Sequence, residues 1–241
     1  MPTSVFDISS LPEVNSRLMD ESPQEILRWA IEQFQPRLAM ATAFGAEGCC
    51  LLHMLSEIEG QVFLFNLDTG YQFPETLALR ERIRERYGLN VELIRPDLTV
   101  AEYEADHGGP IYPHRPDQCC HDRKILPLRR ALVGQEAWIS AIRRDQTAQR
   151  GAAQVVQWDA KFGLVKISPL LNWTKKDVWS FVARHDVPYN PLHDQGYPSI
   201  GCWPCTQAVQ QGADDRAGRW AGSMKKECGL HVLEHQDGSG I

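Results

Sequence analysis

The stretch RLAMATAFGAEGCCLLHMLSEI, residues 37–58, carries two periodicities with one turn between them. Leu38 to Thr42 is a short apolar run, brief enough for a strand buried on both faces. Phe44-Gly45-Ala46 then turns the chain, and Leu51, Leu52, Met54 and Leu55 follow as the apolar residues of a core helix. Backbone N–H groups at the start of such a helix bind anions, and Gly45 lets a ligand approach them closely. The turn lacks the G-K-[ST] ending of a Walker loop, so alone it indicates an anion cradle and nothing narrower.

Working outward, the alternation of strand and helix repeats. VFLFNLDTG (62–70) reads as a second buried strand ending in a polar loop, and PETLALRERIRERYG (74–88) as a charged amphipathic helix. NVELIRP (90–96) supplies a third strand, and EAWISAIRRDQ (136–146) a fourth that runs into a basic loop. A short strand near Val165 precedes the helix WTKKDVWSFVARHDV (173–187), with Thr174 as its cap. Upstream, Ile26, Trp29, Ala30, Ile31 and Phe34 share one helical face behind Ser22-Pro23. This order predicts an α/β fold, a parallel sheet with helices on both faces, whose ligands bind at the carboxyl ends of the strands. After about Asn190 the pattern gives way to Gly, Pro and polar residues, which predicts a loop-rich, mobile C-terminal tail. The expected organisation is a nucleotide-binding portion over 1–190 and a C-terminal segment over 191–241, together one structural domain.

The composition is that of a soluble globular protein: 241 residues, 43% hydrophobic, 23% charged, net charge −6. That charge argues against a nucleic-acid coat. The N-terminus shows no secretory signal and no apolar run reaches membrane-spanning length, so a cytoplasmic location without membrane or nucleic-acid partners is expected. There thiols stay reduced, and paired cysteines read as metal-binding or catalytic.

Seven cysteines are present. QCCHDRK (118–124) sets Cys119 beside Cys120, and GCWPCT (201–206) holds Cys202 and Cys205 as C-x-x-C. Adjacent cysteines strain a disulfide between themselves. Two pairs fit a four-thiolate site, and neighbouring sulfurs suit a cluster that offers each its own iron better than one tetrahedral zinc. Lys124, on the face of Cys120 in a helical stretch, would stabilise such a site and hold an anion near it. Arg123, Arg129 and Arg130 lie close by in sequence. Asp68 in LDTG sits where the second strand ends, placed to read a ribose or adenine. Arg143 and Arg144 in RRDQ, with Arg216 and Arg219 in DDRAGRW, suggest a substrate with several negative charges. KKECGLH (225–231) carries Cys228 among Lys225, Lys226 and His231, cations that raise a thiolate fraction. Cys49 and Cys50 read as packing.

Together CC…C-x-x-C…ECGLH, with FGAE, LDTG, RRDQ and GRW, resembles the assimilatory sulfonucleotide reductases, specifically the thioredoxin-dependent adenylyl-sulfate (APS) reductases, over roughly residues 25–235. The resemblance implies an adenine nucleotide α-hydrolase-like fold and a 4Fe–4S cluster on Cys119, Cys120, Cys202 and Cys205. It makes Cys228 the nucleophile, forming an S-sulfocysteine and releasing AMP; thioredoxin, a separate protein here, then releases sulfite. Thr42, Phe44, Gly45, Asp68, Lys124, Arg143, Arg144, Arg216, Arg219 and His231 would hold the substrate. Alternatives are the same chemistry on 3′-phospho-APS, an ATP pyrophosphatase of the same fold, or a non-enzymatic cluster or zinc protein. Oligomeric state is left open.

Overall fold

The structure, a computed structural model, describes residues 6–210, 212–222 and 225. The chain opens with helices α1 (Leu11–Leu18) and α2 (Pro23–Phe34). The second starts where local chemistry dictates: the Ser22 side chain accepts from the Glu25 N–H, and Pro23 occupies the first turn. Ile26, Leu27, Ala30, Ile31 and Phe34 are its buried stripe. Strand β1 (Leu38–Ala41) then leads into α3 (Ala46–Ser56), β2 (Phe63–Leu67), α4 (Pro74–Tyr87), β3 (Glu92–Ile94) and α5 (Val100–His107). Helix α6 (Pro116–Cys120) runs through a π-helical turn, His121–Ile125, into α7 (Leu126–Ala131). The remaining elements are β4 (Ala137–Ile139), α8 (Ala148–Gly151), β5 (Val156–Asp159), β6 (Leu164–Ile167) and α9 (Lys175–His185). Thr174 caps α9 as its sequence predicts, in a reciprocal box with Asp177. No helix among the described residues is long and apolar enough to cross a membrane.

The strands form one sheet in the order β3-β2-β1-β4-β6-β5. Every pairing is parallel except that of β5 with β6, an antiparallel edge that the sequence reading did not include. Alternate residues of each strand enter two different cores. Leu38, Met40, Leu64, Ala137, Ile139, Val165 and Ile167 join the large core with α2, α3 and α9. Ala39, Phe65, Trp138 and Leu164 face the other way, onto Leu128 and Leu132 around α7. Burial on both sides explains why β1 reads as an unbroken apolar run. Cys49 and Cys50 are fully buried in the large core, as expected of packing residues.

Beyond Asn190 the described chain makes two short 3-10 turns, Pro191–Gln195 and Trp203–Cys205, and a single bridge between Thr206 and Arg219. That bridge straps the segment around Arg216 onto the C-x-x-C turn. The Gln207 N–H donates to the Gly218 carbonyl at 2.8 Å, and the Trp220 N–H to the Cys205 carbonyl at 3.0 Å. A Cβ at Gly218 would collide with the Gln207 carbonyl oxygen. Overpacking of this kind costs about 1–3 kcal/mol, so Gly218→Ala should speed amide exchange at Gln207 and Trp220 by roughly 5- to 150-fold. Unchanged exchange at both amides would show that the strap does not depend on this close approach.

Candidate active site

Strand order reverses at β1: the chain steps to β2 and β3 on one side, then crosses to β4 and β6 on the other. At such a switch point the loops after two neighbouring strands diverge and leave a crevice at the carboxyl ends. A cavity of about 230 Å³ opens there. It is lined by Thr42, Gly45, Glu47 and Gly48 after β1, by Asn66, Leu67 and Thr69 at the end of β2, and by Ser140, Gln146 and Arg150 after β4.

The turn after β1 is built by its own side chains. Phe44 adopts a left-handed conformation (φ 55°) and its N–H donates to Thr42 Oγ1 at 3.0 Å. This reversal sends the Phe44 ring into the core, where it is 1% exposed, and leaves Gly45 as the N-cap of α3 facing the cavity. A side chain at Gly48 would press on Thr42 Oγ1, so that glycine keeps the turn tight. Glu47 would place a negative charge in this cradle. Arg143, 5% exposed, answers it: its guanidinium pairs with Glu47 and donates from Nε to Asp145 at 2.8 Å.

Among the described residues four cations line the cavity: Lys124, Arg150, Arg216 and Arg219. Arg150 is 7% exposed and pairs with Gln146, whose own amide donates to Glu47 at 3.0 Å. Arg219 packs 4.5 Å over the Trp220 ring and against Gly201, where any Cβ would strike its guanidinium. Arg216 stands 5.8 Å from the same ring. Arg143 and Arg144 are engaged outside the lining: Arg144 bonds Asn172 and the Ala153 carbonyl. Asp68 organises its own turn, accepting from the Gly70 N–H at 3.1 Å and from Arg95 Nε at 2.8 Å. Of the sequence-expected substrate residues, the structure brings Thr42, Gly45, Lys124, Arg216 and Arg219 to the cavity. Phe44, Asp68, Arg143 and Arg144 stand behind it. Arg150 and Gln146 were missed; extended Thr147 separates the turn that carries Gln146 from α8, so no single helical face marks them as a pair.

Beside this cavity lies a smaller one. Cys119, Cys120, Cys202 and Cys205 all line it, and none of them is in a disulfide. Thr69, Lys124 and Cys202 are walls of both cavities. The turn at His121–Ile125 is π-helical, with the Leu126 N–H bonded to the His121 carbonyl, so Lys124 does not follow Cys120 at the α-helical spacing expected. Its charge nevertheless acts on Cys119 and Cys205. Arg123 is buried, donating from Nε to the Thr69 carbonyl at 2.6 Å and lying over Tyr71 and Tyr103. Arg129 covers Phe162 and Arg130 pairs with Asp97. Of that basic run, only Lys124 reaches the larger cavity. Cys228 and His231 lie outside the described residues.

Burial pushes the Cys119 thiol up to about 11; the Cys202 and Cys205 sulfurs add to this, and Lys124 and Arg123 oppose it. Burial also raises Cys205. These thiols are therefore protonated at neutral pH until a metal displaces the protons, and their affinity for one rises with pH. Among the described residues no three thiol, imidazole or carboxylate groups converge as a single ion requires. The four cysteines line one small cavity, and Thr69 Oγ1 lies 3.2 Å from Cys202 Sγ as a bonding partner. That donor set fits a multinuclear thiolate group better than one zinc ion.

Residues 37–208 match the phosphoadenosine phosphosulfate reductase domain family. The chain belongs to that family. It is 45% identical, over 96% of its length and 97% of the other's, to a phosphoadenosine 5′-phosphosulfate reductase of Gloeobacter violaceus. It is also 45% identical to adenosine 5′-phosphosulfate reductase 2 of Bacillus subtilis, over 91% of this chain and 92% of that one. Among solved structures, phosphoadenylyl-sulfate reductase from Candida auris, a phosphate complex, superposes with a TM-score of 0.74 at 31% identity, covering 85% of this chain and 98% of that one. Candida glabrata FMN adenylyltransferase shares the fold at a TM-score of 0.56 and 16% identity, over 86% and 70% of the two chains.

Proposed function

We propose that the protein reduces adenylyl sulfate to sulfite and AMP. The observation that carries this reading is the shared wall of Thr69, Lys124 and Cys202, which sets a four-cysteine cavity against a cation-lined nucleotide pocket. Lys124, Arg150, Arg216 and Arg219 supply charge for a phosphosulfate, and the turn after β1 supplies backbone donors. Relatives named for adenosine 5′-phosphosulfate support the substrate, and the Gloeobacter relative carries the name of the other sulfonucleotide.

The Cys228 thiolate attacks the sulfur of the substrate, the bond from that sulfur to the bridging oxygen breaks, and AMP leaves. Arginines beside the phosphate stabilise the charge that gathers on it. A thioredoxin-type dithiol then attacks the Cys228 sulfur and sulfite departs with the bonding pair. The second thiol of the donor resolves the mixed disulfide, so two electrons pass from dithiol to sulfur and Cys228 is regenerated. A 4Fe–4S cluster, when bound by Cys119, Cys120, Cys202 and Cys205, would tie α6 to the Trp203–Cys205 turn and place a fixed charge beside Lys124. Residues 1–190 would thus supply most of the pocket, and 191–241 its remaining wall and the nucleophile.

With thioredoxin present, kcat/KM for adenylyl sulfate should exceed that for its 3′-phosphorylated form by about 100-fold or more. The relatives named for adenosine 5′-phosphosulfate and the four-cysteine cavity support this preference. Equal or reversed values would assign the enzyme to the phosphorylated substrate.

A further inference from the structure

Lys225 stands three residues before Cys228, and its side chain is held from two directions. Its ammonium pairs with the carboxylate of Asp117, in the first turn of α6, and lies 5.3 Å from the centre of the Trp220 ring. A lysine ordinarily keeps its charged head in water. This side chain is only 6% exposed, with an indole face and a carboxylate among its partners, and the Asp117 side chain is 84% exposed. Both contacts belong to the surroundings of the four-cysteine cavity. Trp220 lines that cavity with Cys119, Cys120, Cys202 and Cys205, and its N–H donates to the Cys205 carbonyl at 3.0 Å. Asp117 lies two residues before Cys119. Lys225 is close enough to Cys205 for its charge to oppose the rise that burial imposes on that thiol.

Chain length converts this anchorage into an effect on reaction. A chain spans at most about 3.3–3.6 Å per residue. Cys228 is eight residues beyond Trp220 and three beyond Lys225. Tethered at Trp220 alone it ranges over about 28 Å, and tethered at Lys225 over about 11 Å. The volume open to the thiol falls about 20-fold, and its concentration at a fixed substrate sulfur rises by the same factor. On the reading that Cys228 is the nucleophile, we propose that Asp117 and Lys225 are positioning residues whose ion pair tethers Cys228 beside the shared wall of the two cavities. Neither touches the reacting atoms; both act through Cys228. The charge of Lys225 is thereby answered by Asp117, and its contribution to the reaction is placement of the thiol.

The test is the rate at which adenylyl sulfate forms the Cys228 adduct on the iron-loaded full chain without reductant, read by rapid quench and intact mass. Asp117→Lys and Lys225→Asp should each slow it by about 5- to 20-fold, the larger value being full release of the tether. The double variant, Asp117→Lys with Lys225→Asp, restores the pair with its charges exchanged and should return to within about threefold of the wild type. Iron content, AMP affinity and alkylation of Cys228 by iodoacetamide should stay within about threefold in all of them. Wild-type rates in both single variants, or a double variant as slow as the singles, would overturn the proposal. Alkylation that slows in Lys225→Asp would also overturn it, by making Lys225 an activator of the thiolate through its charge. Loss of iron or of AMP affinity in step with the rate would assign the pair a structural role instead. Asp117→Ala, at an exposed position, should slow the adduct by about fivefold or more and decides the matter where a reversed charge disturbs folding. A wild type that forms no adduct at Cys228 would reject the nucleophile reading itself, and the tether with it.

Discussion

Cys228→Ser is expected to abolish sulfite release, by on the order of 10⁴- to 10⁶-fold, the scale on which covalent nucleophiles are lost. Serine keeps the size of the side chain but removes the thiolate, and a hydroxyl without an activating base is a poor nucleophile at neutral pH. On the proposed mechanism every later step requires the sulfur–sulfur bond formed by Cys228, so no residual route through thioredoxin is expected. AMP affinity should change little. The groups assigned to hold the nucleotide are the turn after β1, Arg150, Arg216 and Arg219, and the Cys228 sulfur bonds only during reaction. Sulfite formation by the serine variant near the wild-type rate would remove Cys228 from the mechanism.

The second large effect is expected from Cys202→Ser. Cys202 forms part of both cavities and its Sγ lies 3.2 Å from Thr69 Oγ1, so its loss would remove one of the four proposed thiolate ligands and part of one pocket wall. Anaerobically purified wild type should contain about four irons and four acid-labile sulfides per chain, and the serine variant almost none. Activity should fall with the iron. Cys49→Ala is the control: Cys49 is fully buried in the large core, where burial pushes its thiol up to about 12 and keeps it neutral. It should retain iron and turnover while losing some stability to the small cavity it leaves. Zinc in place of iron in the wild type would contradict the cluster assignment and leave the fold unaffected.

The features legible from sequence were those set by local chemistry. The turn between β1 and α3, the Thr174 cap and the Ser22-Pro23 start each follow from a few adjacent residues. The two cysteine pairs were legible because thiols are scarce and chemically distinctive. What escaped depends on partners far along the chain. Strand β5 is four residues long and exists through its pairing with β6. Arg143 looks like a ligand in RRDQ, but Glu47, 96 positions earlier, claims it once the sheet forms. Arg150 looks like a surface residue until Gln146, itself bonded to Glu47, holds it at the crevice. The π-helical turn after Cys120 left no simple signal, because His121 to Ile125 would continue an α-helix equally well on propensity. Its effect falls on Lys124, and the side chain still reaches both cavities.

The proposed mechanism passes a covalent sulfonate through Cys228. Incubating the iron-loaded wild type with adenylyl sulfate and no reductant, followed by intact-mass measurement and peptide mapping, tests it most directly. One sulfonate-sized increment per chain is expected, mapped to Cys228 and released as sulfite when thioredoxin is added. No increment, or one mapped to Cys119, Cys120, Cys202 or Cys205, would contradict it.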